Sequence, residues 1–353
     1  MHIDAIDTPA VLIDLDKVEA NLRRAQDYAD AHNLPLRPHV KTHKLPEMAL
    51  KQVALGAIGI TCQKIGEAAA MADGGLTDIF LPYNILGTSK LDRLADLHAR
   101  VTLSVTADSP ETIAGYAARF GAERPLNVLV ECDTGAGRCG VQTPEEAVAL
   151  ARQIAEAPGL TFGGLMTYPP KGGTARADAW LQEAKTALEN ADLTPKVISS
   201  GGSPDLYRAA EGTTTTEYRP GTYIYSDRMQ VAFGLGTLKD CALTVKATVV
   251  SRPTPNRAVL DSGSKALAAD PVPAPYKGHG HIVEYPDAVV TALSEEHAVV
   301  DISACPEKPA VGDTVRVIPN HACVVTNLFD TVYLVHGDTV EREAVITSRG
   351  KLR

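Results

Sequence analysis

Residues 126–166 contain one complete strand–helix–strand unit, which reads LNVLVEC (126–132), TPEEAVALARQIAEAPG (143–159) and LTFGGLM (160–166). The two outer runs are short and apolar, as buried strands are. The middle run opens on Thr followed by Glu, which supplies N-cap chemistry, and it closes on Gly, as many helices do. Because parallel strands need a crossover connection of this kind, the stretch predicts a βαβ unit of a parallel sheet.

The same alternation continues through the first two thirds of the chain. We predict eight strands, at residues 35–40, 57–61, 77–82, 101–106, 126–132, 160–166, 196–200 and 214–219. Eight strands separated by helices predict an α/β fold, a (β/α)8 TIM-type barrel, at residues 22–235. Beyond it, short Val- and Thr-rich runs broken by Pro, Gly and Asn predict a C-terminal antiparallel β domain at residues 236–353.

The composition of the chain excludes several classes of protein. The formal net charge is −9 and no segment is rich in Lys or Arg, so neither nucleic acid nor an anionic membrane surface is an expected partner. No stretch approaches the roughly 18 consecutive apolar residues of a membrane span. The first residues, MHIDAIDTPAVLIDLD, lack the basic and apolar regions of a secretory signal, and the cysteines show no CxxC spacing. We therefore expect a cytoplasmic protein with reduced thiols.

A lysine follows the first predicted strand, in the run Arg37-Pro38-His39-Val40-Lys41. Active sites of such barrels lie at the carboxyl ends of the strands. Neighbouring cationic groups can lower the pKa of a lysine and make its amine a Schiff-base nucleophile. The alternative interpretation of this run is a solvated basic turn that leads into the next helix.

Glycine turns follow the seventh and eighth predicted strands. The first reads Ser199-Ser200-Gly201-Gly202-Ser203, and the second reads Arg219-Pro220-Gly221-Thr222-Tyr223. Backbone amides in such turns can approach a phosphate, and barrels of this type often bind phosphate in the loops after these two strands. Both turns are therefore candidate phosphate ligands, with ordinary glycine-rich connections as the alternative.

Two further runs contain candidate ligands. The loop ECDTGAGRCG (131–140) contains Arg138, which could hold a phenolate or carboxylate oxygen or form a structural ion pair. The run PNHAC (319–323) places His321 and Cys323 two residues apart. On an extended segment these side chains would project to the same face and could share one metal ion. A half-buried histidine beside a packed cysteine is the alternative.

Seven segments together resemble the D-threonine aldolase and D-serine dehydratase family. They are RPHVKTHK (37–44), ECDTGAGRCGV (131–141), SSGGSP (199–204), EYRPGTYIYSD (217–227), DSGSKAL (261–267), SEEHA (294–298) and PNHACVVTNLFD (319–330). The resemblance extends from about Thr8 to Val335. It implies a pyridoxal-phosphate enzyme of the alanine racemase fold type, with residues 1–21 belonging to the second domain. By analogy with that fold, we expect a homodimer.

The resemblance also implies a role for each candidate residue at the matching positions. Lys41 resembles the lysine that holds the cofactor as a Schiff base, and His39 beside it is a further expected cofactor-binding residue. Tyr168 resembles a tyrosine that lines the cofactor face. Lys41 and Tyr168 are the expected catalytic residues. Arg138 resembles an arginine at the phenolic oxygen, and Arg219 occupies the position that faces the pyridine nitrogen. The implied phosphate cradle consists of Ser200, Gly201, Gly202, Ser203, Gly221, Thr222 and Tyr223.

His321 and Cys323 resemble the divalent-metal pair of the family. A thiolate ligand favours zinc by its softness, with manganese and magnesium as the other candidates. A metal ion on the β-hydroxyl of a small D-3-hydroxy amino acid would acidify that hydroxyl or make it a better leaving group. The metal pair therefore fits two different reactions of such a substrate.

The two reactions differ in the bond that breaks. In retro-aldol cleavage, a base takes the β-hydroxyl proton and the Cα–Cβ bond breaks, so that a D-threonine-like substrate gives glycine and an aldehyde. In dehydration, Lys41 takes the Cα proton and the hydroxyl leaves as water, so that D-serine or D-3-hydroxyaspartate gives a 2-oxo acid and ammonia. Both use the cofactor to accept electrons from a bond broken at Cα.

The sequence contains features of both branches of the family. The aldolases have a histidine a few residues beyond the tyrosine that matches Tyr168, whereas the run YPPKGGT (168–174) has none. Cys323 resembles the dehydratase branch, while NLFD (327–330) and RPHVKTHK (37–44) resemble the aldolase branch. We expect the aldolase reaction, with the dehydratase as the main alternative. An amino-acid racemase and a non-catalytic pyridoxal-phosphate carrier are the remaining alternatives.

Overall fold

The computed structural model describes residues 1–353. Strand β1 (Ala10–Asp14) leads into helix α1 (Leu15–Ala31). Then follow α2 (Pro46–Ala54), β2 (Ile60–Thr61), α3 (Ile65–Asp73), β3 (Asp78–Leu81), α4 (Thr88–His98), β4 (Thr102–Ala107), α5 (Pro110–Arg119), β5 (Leu126–Cys132), α6 (Pro144–Glu156), β6 (Leu160–Thr167), α7 (Thr174–Glu189), β7 (Val197–Ser200) and β8 (Glu217–Tyr218). The last elements are α8 (Arg228–Ala232), β9 (Leu243–Thr254), β10 (Arg257–Leu260), α9 (Ser264–Leu267), β11 (Gly280–Ile282), β12 (Val289–Leu293), β13 (Ala298–Asp301), β14 (Thr314–Pro319), α10 (Ala322–Leu328), β15 (Thr331–His336) and β16 (Thr339–Val345). None of the helices combines the length and the apolar character that a membrane crossing requires.

The parallel sheet closes into a barrel through residues 35–39. Strands β2 to β8 pair in chain order, which leaves β2 and β8 as the two edges. The amide of Arg37 donates to the Tyr218 carbonyl at 2.8 Å, and the amide of Thr61 donates to the Pro38 carbonyl at 2.8 Å. These bonds join both edges to the same segment, which confirms the predicted barrel with seven paired strands and one irregular closing segment.

The first predicted strand, at 35–40, differs from the other seven in its regularity. It forms only isolated bridges, at Leu36 and His39, and is not a continuous strand. Pro35 and Pro38 lack the amide hydrogen that an uninterrupted ladder needs, which accounts for the difference. The segment therefore closes the barrel with fewer hydrogen bonds than a regular strand would make, because its prolines cannot donate.

Helix α6 shows why the connecting segments are helical. The Thr143 hydroxyl accepts from the Glu146 amide at 3.2 Å, and the Glu146 carboxylate accepts from the Thr143 amide at 3.3 Å. This capping box satisfies amides that the first turn leaves without partners. The helix buries one apolar face, formed by Ala147, Leu150, Ala151 and Ile154. The predicted N-cap is thus present, and burial of that face holds the helix against its neighbours.

Successive residues of the barrel strands belong to two different cores. Phe80, Leu129 and Met166 form one small buried cluster. Their strand neighbours, such as Val128 and Leu165, belong to a larger core that includes helix residues. Since side chains alternate along a strand, the small cluster fills the barrel interior and the large one fills the layer between strands and helices.

The second sheet is mixed and has nine strands. Its order is β12-β13-β10-β9-β1-β15-β16, and β14 pairs with β9 and β11. Strand β1 pairs in parallel with β15, whereas its pairing with β9 and the remaining pairs are antiparallel. The predicted antiparallel domain therefore contains one parallel pair, because β1 comes from the N-terminus of the chain and enters the middle of the sheet.

The chain divides into two compact units. The barrel unit consists of Arg24–Lys41, Leu45–Gly221 and Gly350–Arg353, and the sheet unit consists of Met1–Arg23, Thr42–Lys44 and Thr222–Arg349. Within the sheet unit, the Thr326 hydroxyl donates to the Thr42 carbonyl at 2.6 Å. The Ser348 amide donates to the Lys44 carbonyl at 3.3 Å. The sequence predicted different limits, with the barrel at 22–235 and the β domain at 236–353 together with 1–21. These limits stay a prediction.

We expect Gly164→Ala to destabilise the protein by about 2–4 kcal/mol. Gly164 has a φ of +138°, and a Cβ atom there would overlap the carbonyl oxygen of Val197 on the next strand. Gly115→Ala in α5 is the control, because its Cβ would lie 3.5 Å from Leu91 Cδ1. Alanine in a helix should raise stability there by about 0.5–1 kcal/mol. Urea unfolding measures both changes, and equal midpoints for Gly164→Ala and the wild type would contradict the expectation.

Candidate active site

A buried arginine lies at the carboxyl end of the barrel. Arg219 donates to the Ser199 hydroxyl at 2.5 Å and to the Thr167 carbonyl at 2.7 Å. Its guanidinium lies 5.7 Å from the centre of the Phe80 ring, in the barrel interior. Burial lowers the pKa of Arg219 to about 10, and the nearby Glu217 carboxylate opposes that change. The group therefore keeps its positive charge at neutral pH and is held at the ends of β6 and β7.

Three other predicted residues lie together at the same end of the barrel. The Arg138 guanidinium lies 5.0 Å from the centre of the Tyr168 ring. A Cβ atom on Gly202 would lie 2.8 Å from Tyr168 Cε2, so the ring packs directly against this glycine. The Tyr168 side chain is 38% exposed. We call Arg138, Tyr168 and Gly202 the Tyr168 cluster.

The two glycine turns contact each other, and the first of them leaves no room for added side chains. Gly201 has a φ of +100°, and a Cβ atom there would overlap the Tyr218 ring. The Tyr218 hydroxyl donates to the Gly202 carbonyl at 2.9 Å, and the Gly221 amide donates to the Ser203 hydroxyl at 3.0 Å. The lack of side chains at Gly201 and Gly202 thus makes room for the Tyr218 and Tyr168 rings, and the backbone of the two turns stays the predicted phosphate site.

Lys41 is half-buried at the end of the segment that closes the barrel. Its amide donates to His39 Nδ1 at 3.3 Å, and His39 Nε2 lies 2.9 Å from Gln63 Oε1. These bonds hold the His39 ring beside the Lys41 backbone, and the role of both residues at a cofactor stays a prediction. They do not join Lys41 to the Tyr168 cluster, which lies on later strands.

Glu131 is a buried acid to which the sequence analysis gave no role, although it lies in the quoted loop ECDTGAGRCG (131–140). Glu131, at the end of β5, lies 4.0 Å from an Arg138 nitrogen, and its side chain is only 5% exposed. Burial raises the pKa of Glu131 to about 7, with Asp108 adding to the rise and Arg138 opposing it. An acid at a strand end next to a glycine loop was the available signal. Only the burial shows that its charge is perturbed.

The predicted metal pair lies in the sheet unit. Its geometry corrects the expectation of an extended segment: His321 is the N-cap of α10, and Cys323 lies in the first turn of that helix. The two side chains nevertheless meet. Hydrogen bonds with Cys323 and Asp270, the one with Cys323 contributing most, raise the pKa of His321 to about 9. An imidazole and a thiol in contact are a suitable donor set for a soft divalent ion.

Two hydroxyls also contact the thiol of this pair. The Thr42 hydroxyl lies 3.1 Å from Cys323 Sγ, and the Thr222 hydroxyl lies 3.4 Å from it. Thr222 was predicted as a phosphate ligand and Thr42 was not singled out. Thr222 and the buried Tyr223 belong to the sheet unit, whereas the other predicted phosphate residues belong to the barrel unit. No group of three or more His, Cys, Asp or Glu side chains is arranged to hold a metal ion.

Comparison with known families divides the chain into two parts. Residues 13–229 match the family described as alanine racemase, N-terminal domain. Residues 242–335 match the family described as putative serine dehydratase domain. The first match covers more than half of the chain, and the second covers most of the mixed sheet and includes His321 and Cys323.

Individual relatives match along nearly their whole lengths. The chain is 35% identical to D-threonine aldolase from Arthrobacter sp., over 98% of this chain and 93% of that protein. It is 34% identical to 3-hydroxy-D-aspartate aldolase from Paracoccus denitrificans (strain Pd 1222), over 99% and 94%. It is 31% identical to D-threo-3-hydroxyaspartate dehydratase from Delftia sp. (strain HT23), over 94% and 95%.

Solved structures agree with these relationships. The crystal structure of D-threonine aldolase from Filomicrobium marinum has a TM-score of 0.89 and 30% identity, with 99% of this chain and 97% of that one covered. A cysteine-to-alanine mutant of the D-threo-3-hydroxyaspartate dehydratase, in the metal-free form, has a TM-score of 0.88 and 29% identity, with 98% and 99% covered. A histidine-to-alanine mutant of the same enzyme has also been solved, and the two mutated positions are two residues apart.

Glu131→Gln should remove a pH dependence of folding stability. Burial raises the pKa of Glu131 from 4.5 to about 7, so the folded protein binds more protons than the unfolded chain between these values. Stability therefore falls as pH rises through that window, by at most about 3 kcal/mol from this group. We expect the variant to gain stability relative to wild type from pH 5 to pH 8 in urea unfolding. Glu123→Gln, at an exposed position, should show no such gain. A pH-independent difference for Glu131→Gln would contradict the expectation.

Proposed function

The chain belongs to the alanine racemase-type family that includes D-threonine aldolases, 3-hydroxy-D-aspartate aldolases and D-serine dehydratases, and from this we propose that it cleaves a D-threonine-like 3-hydroxy amino acid to glycine and an aldehyde. The resemblance seen in the sequence is thereby confirmed, as is membership of a lyase family. The observation that carries the choice of aldol cleavage is the 35% and 34% identity to two aldolases over almost the entire chain.

Pyridoxal phosphate is the proposed cofactor. When bound, it condenses with an amine and accepts electrons from a bond broken at Cα. Lys41 would supply the amine that holds it, and the glycine turns at Gly201–Ser203 and Gly221 would supply backbone around its phosphate. The packing of Tyr168 against Gly202 supports this assignment, because the ring lies beside the turn that would hold the phosphate.

The two arginines have different proposed tasks around the cofactor. Arg219 would face the pyridine nitrogen, and since the pKa of Arg219 is about 10 its guanidinium would donate a hydrogen bond there without giving up a proton. Arg138, 5.0 Å from the centre of the Tyr168 ring, would donate to the phenolic oxygen. Buried Glu131, 4.0 Å from Arg138, adds a proton-binding group to that side of the barrel mouth.

A divalent metal ion at His321 and Cys323 is the second proposed requirement. Such an ion lowers the pKa of a hydroxyl that it contacts. The contact between imidazole and thiol supports the site, and so does the matching two-residue spacing of the mutated His and Cys in the dehydratase, whose Cys mutant was solved in a metal-free form. Zinc is favoured by the thiolate, with manganese or magnesium as alternatives. Thr42, which contacts Cys323, directly follows Lys41 in the chain.

Dehydration is the second candidate function. The Cys323 ligand and the 31% identity to D-threo-3-hydroxyaspartate dehydratase favour it. In that reaction Lys41 holds the proton taken from Cα, whereas in aldol cleavage a different group takes the β-hydroxyl proton. Residues 169–174 offer no histidine for the second task. The expected homodimer and cytoplasmic location stay predictions.

The reaction products decide between the two functions. Purified protein with pyridoxal phosphate and zinc or manganese is incubated with D-threonine, D-serine and D-threo-3-hydroxyaspartate. We expect acetaldehyde and glycine from D-threonine, loss of both on chelation with EDTA, and recovery when the metal is returned. Ammonia released without glycine, together with pyruvate from D-serine or oxaloacetate from D-threo-3-hydroxyaspartate, would establish the dehydratase instead. If none of the three substrates is consumed, the lyase proposal is wrong.

Lys41→Ala should abolish the visible absorption of the bound cofactor and lower turnover by roughly 10²–10⁴-fold. Lys51→Ala, at an exposed position of helix α2, is the matched control and should retain both properties. Spectra recorded at equal protein concentrations, together with turnover rates, measure the two effects. If Lys41→Ala has the absorption and turnover of the wild type, Lys41 does not hold the cofactor and takes no part in the reaction.

A further inference from the structure

Asp270 binds two consecutive residues of the predicted metal-binding run. Its carboxylate oxygen Oδ1 lies 3.0 Å from His321 Nδ1. Its backbone carbonyl accepts from the Asn320 side-chain amide at 2.8 Å. Asp270 lies 51 residues before His321 in the chain, in a segment without helix or strand, so these contacts arise from tertiary folding.

Arg228 and Asp227 hold the two residues that flank His321. Arg228 donates to Asn320 Oδ1 at 2.6 Å and to the Lys277 carbonyl at 2.8 Å. The fully buried Asp227 carboxylate accepts from the Ala322 amide at 3.0 Å, next to His321. The Asn320 side chain and the Ala322 backbone amide, on either side of His321, are therefore held by Arg228 and Asp227. The imidazole itself contacts Asp270 and Cys323.

A hydrogen bond to one ring nitrogen determines which nitrogen can bind a metal ion. A carboxylate beside Nδ1 requires a hydrogen on that atom, and the neutral ring then has its lone pair on Nε2. Metal-binding histidines commonly have a carboxylate in this position, which fixes the ring and increases its basicity. His321 and Asp270 are 29% and 31% exposed, so the bond is partly shielded from water.

We propose that Asp270 is a positioning residue of the metal site: it keeps the hydrogen on His321 Nδ1 and leaves Nε2 to bind a divalent ion together with Cys323. This inference rests on the proposed metal requirement and adds a residue to which neither the sequence nor the comparisons gave a role. The alternative is a simple surface ion pair between a histidine and an aspartate.

The chain contains a matched control for that alternative. His336 Nδ1 lies 2.8 Å from Asp16 Oδ1 in the same unit, with side-chain exposures of 51% and 69%. This pair has the same atoms in contact at a similar distance, and His336 is not part of the predicted metal pair. Asp16 variants therefore report what the loss of an ordinary Asp–His contact does to the protein.

The first experiment measures metal affinity. Asp270→Ala, Asp270→Asn, Asp16→Ala and Asp16→Asn are titrated with zinc and with manganese against a coloured chelator, as full-length protein carrying pyridoxal phosphate. We expect Asp270→Ala to weaken binding by about 10–100-fold, and Asp270→Asn to weaken it less, since its amide oxygen can still accept the hydrogen bond. Both Asp16 variants should bind as the wild type does. Wild-type affinity in Asp270→Ala, or an equal loss in Asp16→Ala, would overturn the inference.

The second experiment reads the ring nitrogens directly. In zinc-loaded protein with ¹⁵N-labelled histidine, the His321 signal should show the hydrogen on Nδ1 and the metal on Nε2, and Asp270→Ala should lose this single arrangement. Metal on Nδ1 in the wild type would overturn the proposal. Thermal unfolding of the metal-free variants should leave the Tm near wild type, and a large fall would assign Asp270 to general folding instead.

These outcomes separate the inference from the proposed lyase activity. Zinc bound through Nε2 without consumption of any D-3-hydroxy amino acid would retain the role of Asp270 and reject the lyase. Metal-dependent lyase activity with unchanged affinity in Asp270→Ala would retain the lyase and reject the role of Asp270. A wild-type protein that binds neither metal would reject the role of Asp270 and the metal requirement together.

Discussion

Backbone hydrogen bonds on both sides of residues 35–39 close the barrel, and the position of every strand end depends on that closure. The segment contains two prolines, which remove two of the amide donors that a regular strand would use. The Arg37 and His39 amides donate to the carbonyls of Tyr218 and Pro220, and three carbonyls of the segment accept from the amides of Tyr218, Ile58 and Thr61. Closure therefore rests on a few bonds. The same short segment ends at His39, two residues before Lys41. The least regular strand of the barrel is thus the one that leads directly to the candidate lysine.

Burial at the carboxyl end of the barrel changes the pKa values of two charged groups, Arg219 and Glu131. Arg219 is fully enclosed yet satisfied by Ser199 and Thr167, and burial alone would be costly for an unpaired guanidinium. Glu131 receives a weaker compensation, because Arg138 is 4.0 Å away and mostly exposed. As a result, the two groups respond to burial differently: one stays charged at neutral pH, while the other has a pKa near 7. Perturbed groups of this kind concentrate at functional sites.

The run around His321 depends on long-range contacts more than on its own sequence. Asp227 accepts the amide of Ala322, and Asn320 is held by Arg228. These bonds start helix α10 directly after His321, so the ring and the Cys323 thiol meet at a helix N-terminus and not along an extended strand. The pair of ligands is local, but its geometry comes from side chains nearly a hundred residues earlier in the chain.

The sequence by itself determined the alternation of strands and helices, the N-caps and the residue types at the strand ends, because these follow from local periodicity and local hydrogen bonding. It also indicated the family, since seven separate segments of the chain resemble motifs of that family. It could not show that residues 35–40 form only isolated bridges, that β1 pairs in parallel with β15, or that His321 begins a helix. Each of these depends on partners distant in the chain. The tertiary structure alone decided the burial of Glu131 and the contact of Asp270 with His321, because burial and long-range hydrogen bonds exist only after the chain has folded.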